Sequence, residues 1–159
     1  MSKEFTSVGD LLKAITADIK AGTHHAHGAL RSVGDLIEES AKSKIGTYQS
    51  ATGPFPAWQP LAESTINAKN SALPLYVDGT LRDAIEHTVD GDRVYIGVKS
   101  HILHDGKTDI ADVAVWQELG TQHIPPRPFI GPALHENREE VGHILLLAVT
   151  KLMKAYKRE

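Results

Sequence analysis

The sequence predicts an α+β fold in which a long N-terminal helix and a C-terminal helix pack on a small antiparallel β-sheet. Three observations predict it. Apolar residues recur at helical spacing from Val8 to Ile37. Asp90-Gly91-Asp92 separates two runs with strand character. Helical spacing then returns between Leu134 and Leu152. A period near 3.6 marks a helix buried along one stripe, and a period of 2 marks a half-buried strand.

The first helix has its stripe at Val8, Leu11, Leu12, Ile15, Ile19, Ala26, Leu30, Val33 and Ile37. Ser7 is placed to cap it, with Asp10 three residues on in the manner of a capping box. Lys42 and Lys44 suit the last turn and Gly46 the stop. Unbroken from Val8 to Lys44, such a helix is about 55 Å long, more than the diameter of a domain this size. It therefore either breaks between Gly22 and Gly28 or projects beyond the body, and a projecting apolar stripe needs a partner.

Prolines and glycines make residues 46–60 a loop. Pro60, favoured in a first helical position, predicts a short helix over 60–70. After Leu73-Pro74-Leu75 and the turn signal Asp78-Gly79, residues 81–86 read as one or two helical turns. Strands over 87–89 and 93–98 form a hairpin, with Val94, Ile96 and Val98 on its buried face. Residues 99–109 are polar and read as a mobile loop. Residues 110–119 are apolar enough for a buried helix or strand, ended by Gly120. Four prolines in residues 124–132 force an extended path, and Pro132 opens the last helix. The stripe of that helix is Leu134, Val141, Leu145, Ala148 and Leu152.

The whole chain, 1–159, reads as one domain: the long helix in 1–46 and an α+β body in 47–159. Hydrophobic residues are 41% and charged residues 23%, a globular balance. Net charge is -3, so no overall basic footprint points to gripping duplex DNA. With 0 cysteines, disulfides and thiolate metal sites are excluded. No secretory signal pattern opens the chain, and its longest apolar run falls far short of the ~20 residues of a membrane helix. The expectation is a soluble chain without a leader.

Several side chains are candidates for chemistry. His24, His25 and His27 have spacing that zinc could use, but no partner ligand completes a site, so a solvated helix face is the expectation. His101 and His104 share the 99–109 loop with Asp105 and Asp109, a base and carboxylate combination. No nucleophile motif, phosphate loop or metal signature accompanies them, so no catalytic residue, cofactor or metal is assigned. A loop that rearranges against a neighbouring subunit fits His101 and His104 better. Glu118 reads as a salt bridge or hydrogen bond holding the Gly120 turn. Arg127, between prolines that fix its backbone, suits bidentate pairing with a carboxylate. With Phe129 it is expected to anchor a segment against the hairpin or an adjacent subunit, intramolecular packing of Phe129 being the other reading. Trp116 is assigned to the core; Trp58, in a loop, is a candidate interface anchor, with core packing equally open.

Three segments together resemble a known family. They are Trp58-Gln59-Pro60-Leu61-Ala62 with Thr65 and Lys69; Pro74-Leu75 followed by Asp78-Gly79-Thr80-Leu81-Arg82-Asp83-Ala84-Ile85; and Val115-Trp116-Gln117-Glu118-Leu119-Gly120-Thr121 followed by Ile124-Pro125-Pro126-Arg127-Pro128-Phe129-Ile130. Their order is similar to that in the virion morphogenesis and tail-completion proteins of long-tailed bacteriophages, of the phage Mu type. Asp78, Ala84 and Trp116 depart from the family's usual Thr, Ser and Ala. The resemblance implies a non-enzymatic structural subunit of the head-to-tail neck, located in the virion and, during assembly, in the host cytoplasm. It implies a homo-oligomeric, hexameric ring that encircles DNA without binding it specifically. Its implied neighbours are portal, adaptor or stopper proteins on one side and tail terminator, tube or sheath proteins on the other. A tail-tube terminator ring is the alternative within that structure, and a small hydrolase using the His-rich loop is the alternative of another class.

Overall fold

The computed structural model describes the backbone of residues 8–156 and the side chains of residues 26–154. The order is α1 (Val8–Lys44), α2 (Glu63–Lys69), α3 (Thr80–Asp83), β1 (Ile85–Asp90), β2 (Arg93–Val98), α4 (Ile110–Leu119), α5 (Ile130–Glu136) and α6 (Arg138–Tyr156). The class is α+β, as the periodicities predict, with a two-stranded antiparallel sheet.

α1 is one unbroken helix of 37 residues; it does not break at Gly22 or Gly28. The Ser7–Asp10 cap and the stripe side chains from Val8 to Ile19 lie outside the described side chains. In the described half, Val33, Ile37, Ala41 and Ile45 are buried, the spacing of one face. Gly46, at φ 90, ends the helix as expected, its amide donating to the Pro74 carbonyl at 2.8 Å.

The hairpin meets α1 at Gly34 and Glu38, and the α5–α6 junction meets it at Ser40 and Lys44, on a different face. Gly34 makes the close approach to the hairpin possible, because a Cβ there would meet His87 Cδ2 at 2.2 Å. One turn on, Glu38 Oε2 accepts from the His87 amide at 3.1 Å and lies 2.7 Å from His87 Nδ1. A carboxylate only accepts, so Nδ1 carries the proton. Burial pushes the Glu38 carboxyl up, but its hydrogen bonds to Lys42 and His87 outweigh this and leave it below the ordinary value. On the other face, α6 starts beside Ser40, whose Oγ accepts from Asn137 at 3.0 Å, and runs back along α1. Lys44, buried to 5% exposure, pairs there with Glu136 at 2.5 Å.

β1 pairs with β2 from Ile85↔Val98 to Asp90↔Arg93 around a two-residue turn at Gly91-Asp92. The strand begins two residues earlier than the sequence predicts, and α3 is correspondingly short. Ile85 is fully buried and needs the core face, so the chain leaves the helix at Ala84 and pairs at once, with Lys99 donating to the Ala84 carbonyl at 2.8 Å.

α2 begins at Glu63, not at Pro60. Arg127 Nη2 holds the Gln59 and Pro60 carbonyls at 3.1 and 3.4 Å, and the Leu61 amide donates to the Tyr48 hydroxyl at 3.1 Å. Residues 59–61 stay outside the helix. Pro132 does not open the last helix either. It sits inside α5, and Asn137 separates α5 from α6. The inward residues of α6 are Val141 and Ile144; Leu134 and Leu145, assigned to the buried stripe, are 51% and 40% exposed.

Candidate functional site

Residues of the first and third resembling segments converge on one seam. Phe129 is fully buried, with Trp58 and Arg127 each 5% exposed around it. Trp58 Nε1 donates to the Pro128 carbonyl at 3.1 Å, across 70 residues of chain. Arg127 reaches the carbonyls on either side of the Gln59–Pro60 bond, while its own amide donates to the Gln117 carbonyl at 2.6 Å. Glu118 completes the seam. Its Oε2 accepts from the amides of Phe129 and Ile130 at 2.7 and 3.1 Å, and its Oε1 from Gly131 at 2.8 Å. A carboxylate on the first amides of a helix satisfies donors that the helix cannot satisfy itself. Glu118 thus caps α5 from the end of α4, rather than the Gly120 turn. That turn is made by Gly120 itself at φ 77, with Thr121 donating to the Ile124 carbonyl at 2.8 Å.

Of the readings left open for Trp58 and Phe129, their burial favours packing within the chain: Trp58, Arg127 and Phe129 are interior side chains that join loop 46–60 to the α4–α5 connection. The prolines around Arg127 do aim its guanidinium in a fixed direction, but at backbone carbonyls rather than a carboxylate. Burial pulls the Arg127 guanidinium below its ordinary value. Lys69, donating to the Leu73 and Tyr76 carbonyls, is lowered by burial first and by the Arg127 charge second.

The remaining two assigned residues, His101 and His104, are exposed. Their loop is organised by its own carboxylates. Asp109 accepts from the Ser100 hydroxyl and from the His101 and Ala111 amides, so it caps α4. Asp105 accepts from the Lys107 and Thr108 amides, both at 2.9 Å, and from the Thr108 hydroxyl. These bonds, led by the Thr108 hydroxyl, hold the Asp105 carboxyl down at about 2. The Ser100 hydroxyl is the main cause of the lowered Asp109. Both carboxylates are engaged in turn structure, and the histidines hydrogen-bond to neither through their rings. No group of three or more His, Asp or Glu that could hold a metal exists among the described residues. The side chains of His24 and His25 lie outside these. Among the described residues, no helix is long and apolar enough to cross a membrane.

Two exposed apolar surfaces escaped the sequence reading. α4 buries only Ile110 and Ala114. Val115, Trp116 and Leu119 are 52%, 42% and 74% exposed, so Trp116 is a surface residue and not a core one. Beside them a shallow cavity of about 300 Å³ opens between α4 and β2, lined by Gly97, Val98, Ala111, Ala114 and Ile130 among others. α6 exposes Leu146, Val149 and Met153 at 64%, 51% and 57%. The available signal was overabundance. α4 is apolar nearly all round, and Leu145-Leu146-Leu147 spans three directions, yet each helix has one face to pack.

Comparison with known proteins returns no matching family, no matching characterised protein and no matching solved structure.

Proposed function

We propose that the chain is a structural subunit of the bacteriophage head-to-tail neck, a tail-completion or connector protein whose copies form a ring joining the tail to the DNA-filled head. The observation that carries this reading is the seam. Two of the three segments that resemble the tail-completion family, the first and the third, pack against one another around Phe129, so that part of the resemblance falls on interior residues that join distant parts of the chain. The dimensions of the helices agree with an assembly role. α6 has 19 residues against the 37 of α1, so α1 runs on past the helix that lies along it. Large apolar side chains on α4 and α6 stand in solvent, as suits surfaces covered on assembly. The acidic balance, net -3, suits a ring that surrounds DNA without gripping it.

Cryo-electron microscopy of purified particles tests the reading. The expected result is a closed ring of copies between portal and tail, and its absence from finished particles overturns it. Deleting residues 102–107 is expected to leave a folded chain that fails to join heads to tails; normal infectious virions from that deletion remove the loop from the mechanism.

A further inference from the structure

We propose that a second copy of this chain covers the outward face of α6, the two helices packing antiparallel about a two-fold axis. Such a contact closes on itself as a pair, so it goes beyond the neck reading and does not rest on it.

Spacing is the first argument. Gly142, Leu146, Val149 and Met153 follow one another at intervals of four, three and four, the pattern of a coiled-coil seam. Together with Glu139 they fall within about 80° of one another around the helix. All five are exposed. This stripe is not the one that holds α6 in the fold, because Val141 and Ile144 face the core from the other side of the helix. α6 thus carries two seams, and the chain fills one of them. Packing along α1 already holds α6 as a helix, so a neighbour meets a formed surface and spares the cost of ordering it.

Gly142 is the second argument. Glycine weakens a helix interior, so a glycine there calls for a reason. Gly34 and Gly131 have one within the chain, since a Cβ at either would collide with His87 or Phe55. A Cβ at Gly142 meets nothing within 4 Å. The bare backbone at Gly142 leaves room for a bulky side chain arriving from outside.

The stripe itself supplies that side chain, and this selects the occupant. Set two copies antiparallel, with the axis midway between Leu146 and Val149. Leu146 of each copy then meets Val149 of the other, and Met153 of each meets Gly142 of the other. Every layer sets a larger side chain against a smaller one, and a thioether adapts readily to the space it is given. Charge sets the direction. The acidic residues of α6, Glu139 and Glu140, are in its first turn, and Lys154 is in its last. Arg138, beside them, lies 3.4 Å from His135 Nε2. A parallel pair brings the two Glu139 carboxylates together at one end of the seam. The antiparallel pair separates them and opposes the two helix dipoles. Lys154 lies about a right angle from the stripe and Lys151 behind it, so neither charge enters the seam.

The test uses the full chain, which has 0 cysteines and so accepts single reporters. Wild type is expected to sediment as a dimer. Leu146→Asp, at an exposed position, is expected to sediment as a folded monomer, with circular dichroism checking the fold. Gly142→Leu is expected to weaken the dimer about tenfold by crowding Met153 of the other copy, without lowering the unfolding midpoint of the monomer. Gly142→Cys and Met153→Cys are then oxidised mildly, each alone and in an equimolar mixture. The mixture is expected to give a disulfide-linked heterodimer. Neither variant alone is expected to cross-link, because like positions lie about 16 Å apart along an antiparallel seam. A wild type that sediments as a monomer overturns the proposal, as does a mixture that yields no heterodimer. Cross-linking of Gly142→Cys with itself makes the pair parallel and overturns it too. These outcomes leave the neck reading untouched, since imaging of particles decides that separately.

Discussion

The seam around Phe129 and the loop of residues 99–109 share one device, a carboxylate that accepts from backbone amides, and use it to opposite ends. In the seam the partners are far apart in sequence and interior: Trp58 to Pro128 spans 70 residues, and Glu118 reaches 11 to 13 residues ahead. In the loop each bond closes a turn of 2 to 9 residues at the surface. A long-range bond shielded from water contributes to global stability, because breaking it strands a desolvated group. A local bond in water shapes a turn, because solvent replaces it at little cost. The seam is where this chain is held together, and the loop is where it can vary without unfolding.

Substitutions can break that contrast in order of size. Phe129→Ala removes a fully buried ring and is expected to cost ~3–5 kcal/mol in denaturant unfolding. A loss below ~1 kcal/mol would mean the seam is not the core of the domain. Glu118→Ala strands the three α5 amides and is expected to cost ~2 kcal/mol, with faster hydrogen exchange at Phe129, Ile130 and Gly131. Trp58→Phe keeps most of the packing and loses the bond to Pro128, for ~1 kcal/mol. In the loop, His101→Ala and His104→Ala are expected to leave the unfolding midpoint unchanged, as both side chains are exposed. A shift as large as that of Trp58→Phe would erase the contrast.

Acid sharpens the same comparison. The Asp105 carboxyl is depressed in the folded chain, to about 2 from an ordinary 3.8. A depressed acid contributes fully above its unfolded value and loses its contribution as pH falls through its folded one. The Asp105 turn is therefore expected to persist at pH 3 and to open near pH 2, read from the Thr108 amide shift in an NMR titration. Opening near pH 4 would show that the Thr108 and Lys107 bonds do not form in solution.

Much of the fold was legible in the residues. Val33, Ile37 and Ala41 lie on the predicted stripe or one turn beyond it, Asp90-Gly91 does sit at the hairpin turn, and Gly120 does end a helix. These outcomes depend on neighbours a few residues apart, and periodicity and turn chemistry report on such neighbours. Legibility failed where distant partners decided. Pro60 is a good first helical residue, yet Arg127, 67 residues away, takes its carbonyl and delays α2. Trp58 sits in a loop and is interior, while Trp116 sits in an apolar helix and is exposed. Composition cannot distinguish these two, because burial depends on which face of α4 meets β2 and on where the α4–α5 connection returns to loop 46–60. The sequence alone determined the class, the end of α1 before Gly46 and the hairpin turn, all set by local steric and hydrophobic periodicity, while it left open whether α1 runs unbroken past Gly22 and Gly28. Only the tertiary structure decided that the segments around Trp58 and Arg127 form an interior seam and that exposed apolar surface lies on α4 and α6, because long-range packing chooses which of several apolar faces is covered.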